Sequence, residues 1–248
     1  MKKISKLESK TLLNLSKLML VVMLGSFLIS CSEDEGDSII EELVTEEEAA
    51  EVIMKSVEAE TAGLVVQVEE AASITVTNLI FCGYEGDTVF SYSNSSGSVV
   101  TYNYSFGWDY ALECVGNGQP SAFTFNYTGS GNYDAPRIAS NNIIAGGFTV
   151  NGLDAGSETF IFNLDYTEEG TQESKIRNKN TFSSISSLSS SNITVDKSTY
   201  EIQSGTVAVE IGGDVSGNSF SYSGTLTFNG NRSATLVLNS GTTYDFTW

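Results

Sequence analysis

The stretch "TYNYSFGWDYALEC" does most to limit what this chain can fold into. Tyr102, Tyr104, Phe106, Trp108, Tyr110, Leu112 and Cys114 occupy seven consecutive same-parity positions, and all are aromatic or apolar. A helix would scatter them around its circumference, whereas a strand puts them on one face. The run therefore predicts one long, half-buried strand, with Gly107 marking a bend or bulge. Shorter alternating runs follow, including "AFTFNYTG", "TFIFNLDY", "TVAVEIGG", "FSYSGTLTFNG", "SATLVLN" and "TYDFTW". Between them lie "NSSG", "GNGQ", "GSGN", "EEG", "NGN" and "NSG", the residues of hairpin turns and short loops. No helical crossover pattern interrupts residues 73–248. The expectation is a mainly β domain: an antiparallel meander of about 10–12 strands, as a barrel, half-barrel or sandwich. The serine-rich "FSSISSLSSSN" (Phe182 to Asn192) reads as a long loop or an edge strand, and as the boundary between two halves of the β region.

A short helical segment precedes this domain, over residues 45–72. Thr45-Glu46-Glu47-Glu48 has the form of a capping box, and acids in a first turn suit the helix dipole. Ala49, Ile53 and Val57 repeat at helical spacing, and Gly63 supplies a stop. "LVVQVEEAASITV" is ambiguous between helix and strand; helix through about Ala72 is the expectation.

Residues 1–30 carry Lys2, Lys3, Lys6, Lys10 and Lys17, then an apolar run, Leu18 to Ile29, too short for a spanning helix. This is a signal-peptide pattern. Its ending, Leu28-Ile29-Ser30-Cys31, resembles the bacterial lipobox, in which the cysteine is lipidated and becomes the mature N-terminus. Ser32-Glu33-Asp34-Glu35 resembles the acidic export signal of Bacteroidota surface lipoproteins. The resemblance implies an outer-membrane lipoprotein, surface-exposed or else periplasm-facing, anchored by acyl chains on Cys31, with residues 31–44 as an acidic tether. In that setting Asp37-Ser38-Ile39 and Asp87-Thr88-Val89 resemble the Bacteroidota O-glycosylation sequon, making Ser38 and Thr88 acceptor candidates.

The whole chain has 12 basic and 31 acidic residues and no histidine. Without a basic patch, nucleic-acid binding is disfavoured, and membrane contact is expected only through the lipid. Cys82 and Cys114 are most simply a disulfide outside the cytoplasm. A metal site or a reactive thiol is the alternative, with no histidine to complete it. The absence of histidine removes the usual base of Ser-His-Asp and Cys-His catalysis. Asp165, Glu168, Glu169 and Glu173 cluster near "EEG" and read as a solvated turn rather than the carboxylate pair of a glycan hydrolase. Asp134 and Arg137 suggest a turn contact, and "GGDVSGN" (Gly212 to Asn218) a loop with oxygens for calcium but no specific calcium-loop spacing.

No catalytic residue, cofactor or metal site is therefore assigned. Tyr102, Tyr104, Phe106, Trp108 and Tyr110 are read as core, with lining of a ligand site as the other reading. The C-terminal "GTTYDFTW" looks like the closing strand of an outer-membrane barrel, but several expected strands are too short to span. The leading expectation is a non-enzymatic binding or interaction module for a glycan, a protein or an apolar ligand. The alternative is a carrier of lipid in a half-barrel, and a carboxylate-dependent glycan hydrolase comes last.

Overall fold

The computed structural model describes residues 44–79, 81–94, 97–116, 118–177 and 179–248. The signal segment, Cys31 and Ser38 lie outside them. The β region is one open antiparallel sheet of ten strands in strict sequence order. These are β1 (Glu85–Ser93), β2 (Thr101–Val115), β3 (Gln119–Asp134), β4 (Ile138–Asn151), β5 (Thr159–Ser174), β6 (Thr181–Asp196), β7 (Ile202–Val215), β8 (Asn218–Gly230), β9 (Ser233–Leu238) and β10 (Thr243–Thr247). The strand count lies within the expected range. The strands β2 to β8 are longer than expected, at 13 to 16 residues each. Strand length therefore does not speak against a membrane barrel. The open edges and the mostly polar outer face do, because a lipid-facing band would be apolar.

Three local expectations need correction. Gly107 does not bulge β2, because pairing runs through it to Val89 and Thr128; the register shift falls at Glu113/Cys114. The serine-rich run is a central strand, β6, paired on both sides. Its serines alternate between the outer face and a polar inner row, so no hydrophobic contrast marks it. "EEG" is the middle of β5, where Glu168 pairs across to Ile144 and Ser186.

On the inner face lies a helical hairpin. Helix α1 (Glu46–Val57) starts with the capping box that the sequence suggests, Thr45 and Glu48 exchanging backbone and side-chain bonds. A single 3-10 turn, Ala59–Thr61, leads to α2 (Leu64–Asn78), two turns longer than expected. Ala49, Ala50, Val52, Ile53, Val57, Leu64, Val65 and Val68 are all fully buried. Neighbouring residues of α1 reach distant turns: Glu46 accepts from Ser240 between β9 and β10, and Glu47 pairs with Arg137 between β3 and β4. In a flat sheet those turns would stand about 29 Å apart, six strand spacings. The strand ends therefore curl toward one another around the start of α1, and the chain's own hairpin fills the hollow. No described helix is long and apolar enough to cross a membrane.

The acids of α1 are held by cations from the turns. Arg137 pairs with Glu47 and Glu51, and Arg177 also pairs with Glu47, whose carboxyl is held below the usual range chiefly by Arg177. Asp134 pairs with Lys175, so the expected Asp134–Arg137 contact is replaced by two separate pairs. Glu48, almost fully buried, also accepts from Ser174 of β5 at 2.5 Å. Cys82 and Cys114 form a disulfide that ties the segment before β1 to the end of β2.

Candidate functional site

The sheet has two unlike faces. The inner face carries the aromatic stripe of β2, and Tyr104, Phe106 and Trp108 are buried there. Trp108 stacks on Tyr127 at 4.8 Å between ring centroids and meets Phe90 and Phe125 edge-on. These three are core. Tyr102 and Tyr110 lie at the ends of the stripe, half-buried, and border shallow surface pockets. Several rings lie flat over glycines of the next strand: Phe106 covers Gly129 and Tyr104 covers Gly131.

Beneath α1 the inner face turns polar, which the sequence did not announce. Glu168 is 3% exposed. The Tyr166 hydroxyl donates to its Oε2 at 2.7 Å and Asn142 Nδ2 to its Oε1. Asn142 also donates to the Tyr104 hydroxyl at 2.9 Å. The chain continues from Ser184 to Gln172 (3.0 Å), then from Gln172 to Ser140 (3.2 Å), then from Ser140 to Asn142. Burial pushes the Glu168 carboxyl above the usual carboxylate range, although hydrogen bonds from Tyr166, Ser56 and Asn142 oppose this. No cation contributes. Ser186, directly opposite Glu168 on β6, has a buried hydroxyl with no partner among the described residues. The seam is closed to ligand by α1, and we read it as a device that orders the hairpin on the sheet.

The outer face carries the open site. Register places Asp87, Asp109, Asn126, Gly147, Asp165, Ser189 and Ala208 in one row across β1 to β7. Gly147 and Ala208 leave gaps in that row, where the surface dips. The dip deepens where two strands lose register: β5 slips between Phe162 and Leu164, and β6 between Ser189 and Thr194. Paired irregularities of this kind re-aim side chains and bend the strand. The result is an open groove of about 830 Å³ across β3 to β7. Thr124, Asn126, Thr149, Asn163, Ser190 and Asn192 are among its walls. Asn192 is held in place, accepting from Thr206 N at 3.0 Å and donating to Thr206 Oγ1 at 3.2 Å. Asp165 is its one carboxylate. The six basic residues beyond residue 70 all lie in turns, and none lines the groove. Thr124 and Asn126 are shared with a shallower extension toward β1, which holds Glu85, Asp87 and Asp109.

Among the described residues, the carboxylates of the groove row do not face one another across a gap at glycosidase spacing. In the groove row Asp165 stands three strands from Asp109, about 14 Å away, beyond the 5–10 Å of paired glycosidase carboxylates. Asp87 and Asp109 are close, directly opposite in the ladder, but they stand side by side on one face rather than flanking a bond. "GGDVSGN" is a two-residue hairpin turn at Ser216-Gly217, in which Asp214 accepts from Gly217 N at 2.9 Å. Among the described residues no three His, Cys, Asp or Glu side chains gather as a metal site. Thr88 sits on the edge strand β1, half-buried and paired to Trp108. The period-two pattern gave the outward direction of the groove residues; the dip itself depends on bulges that a lone sequence does not announce. Comparison with family models, with curated proteins and with solved structures finds no match to this chain.

Proposed function

We propose that this chain is a non-enzymatic binding module, held at the outer membrane by lipid on Cys31, whose outer groove takes a neutral, polyhydroxylated ligand of the glycan class. The observation that carries the reading is the set of polar side chains lining the groove, which are amides and hydroxyls with one carboxylate and no cation, beside Phe125, Phe148, Leu164 and Ala208. Asn side chains offer both donors and acceptors, and Ser and Thr hydroxyls do the same, which is what a polyol needs. A phosphorylated or sulfated ligand would meet Asp165 with no arginine or lysine to neutralise it. An apolar ligand would leave the groove's amides unpaired, at about 1–3 kcal/mol for each group desolvated. The carrier reading loses ground for a separate reason: the concave face is filled by Ala49, Ile53, Leu64 and Val68 of the chain's own hairpin.

Calorimetric titration of the full chain with a panel of neutral, acidic and aminated oligosaccharides tests the ligand class. Binding to a neutral member, lost in Asn163→Ala, is the expected result. Binding only to charged members, or neutral binding unaltered by Asn163→Ala, would contradict it. The anchor is tested separately by fractionation: Cys31→Ser should move the chain from the membrane to the soluble fraction, and an unchanged distribution would remove the lipoprotein reading.

A further inference from the structure

The two edges of the sheet are managed differently. The edge strand β10 is five residues long, a short edge that offers little to pair with. Its opposite, β1, is nine residues long and pairs with β2 without a register break. It contains no proline, lysine or bulge, the usual protections of an exposed edge. Leu112 N donates to the Tyr84 carbonyl at 2.8 Å and Asn94 N to the Tyr102 carbonyl at 3.3 Å, so the even residues of this strand face β2. By the alternation of an antiparallel ladder, the N–H and C=O groups of Glu85, Asp87, Val89, Ser91 and Ser93 point away from it. At the middle of this strand Val89 is 70% exposed, among the largest exposures of any apolar side chain.

We propose that β1 pairs with β1 of a second copy of this chain, antiparallel about a two-fold axis through Val89, joining two sheets into one. The sequence of β1 is self-complementary in that register. Val89 meets Val89 of the second copy. Asp87 meets Ser91 and Glu85 meets Ser93, so no two carboxylates stand opposite, a juxtaposition that would destabilise the pair. Every opposed pair on the outer face is one whose backbone groups point outward, giving on the order of ten new hydrogen bonds. On the inner face Phe90 meets Thr88. A two-fold contact also closes, whereas joining β1 to β10 head-to-tail would grow a filament. This pairing does not depend on what the outer groove binds.

Cysteine cross-linking in the full chain tests the register. In a hydrogen-bonded antiparallel pair the two Val89 Cα atoms stand about 5.5 Å apart, within disulfide range. The two Ser93 positions would be about 27 Å apart, eight residues along the strand. Under mild oxidation Val89→Cys should give a covalent dimer on a non-reducing gel, and Ser93→Cys should give no more than the wild-type chain. Equal cross-linking of both variants, or none of Val89→Cys, would overturn the proposal. Val89→Pro removes an outward N–H while leaving the β1–β2 ladder intact, so it should keep its circular dichroism and sediment at the monomer mass. A wild-type chain that sediments as a monomer, or a Val89→Pro chain that remains dimeric, would also overturn it.

Discussion

Replacing Glu168 by glutamine should stabilise the protein at neutral pH, and the sign follows from the site. Glu168 is 3% exposed, and burial holds its carboxyl above the usual range. In the folded chain it therefore keeps its proton to a higher pH than in the unfolded chain. Between the ordinary value of 4.5 and the folded value the native state binds more protons, so stability falls as pH rises through that window. Above the folded value the loss is complete, at about 1.4 kcal/mol for each unit of upward shift. Glutamine's oxygen accepts from the Tyr166 hydroxyl and its amide donates to the Asn142 oxygen once the Asn142 amide is turned over, and no charge is buried. Glu168→Ala instead leaves the Tyr166 hydroxyl without its acceptor, at about 1–3 kcal/mol, and opens a cavity, for a total near 3–5 kcal/mol. Urea unfolding at pH 5 and pH 8 measures this. Glu58 and Glu69 are also raised by burial, so the difference between variant and wild type, in which their contributions cancel, is the informative quantity. It should favour Glu168→Gln more at pH 8 than at pH 5. An equal difference at both values, or a shift in the opposite direction, would show that the carboxyl is not held protonated by burial.

Three further outcomes follow from the packing. Reducing the Cys82–Cys114 bridge, or replacing both cysteines by serine, should lower stability by about 3–4 kcal/mol for a loop of 32 residues, read from the unfolding midpoint. Gly131→Ala should cost about 1–3 kcal/mol in the same assay, because its Cβ would stand 2.3 Å from the Asn103 carbonyl and 2.4 Å from the Tyr104 ring. Asp109→Asn should raise stability by about 0.2–1 kcal/mol at low salt, with the gain shrinking as salt rises, since it relieves the repulsion from Asp87 directly opposite.

What the sequence disclosed depended on contrast. The β2 stripe was legible because seven large residues alternate with Asn103, Ser105 and Asp109, and the inner position of Tyr104, Phe106 and Trp108 follows directly. The capping box at Thr45 and the cysteine pair were equally local signals, each complete in a few residues. The β6 strand was illegible because Ser183 and Ser187 face out while Ser184 and Ser186 face in, and the four are chemically alike. Glu168 was misread for a related reason. Two acids before a glycine look like a turn, and nothing local shows that Asn142 of β4 and Tyr166 of β5 both donate to one of them. The groove's outward residues were polar as alternation requires. Its depth comes from Gly147, Ala208 and two register slips, which exist only once neighbouring strands are paired.

Filling the groove separates the two faces of the sheet most directly. Ala208 lines the groove on the exposed side of β7, so a longer side chain there grows into the groove and away from the core. Ala208→Leu should therefore unfold within about 0.5 kcal/mol of wild type, as surface substitutions do, and lose its calorimetric response to the neutral oligosaccharide that the wild type binds. Undiminished binding by a folded Ala208→Leu chain would place the ligand elsewhere and contradict the account.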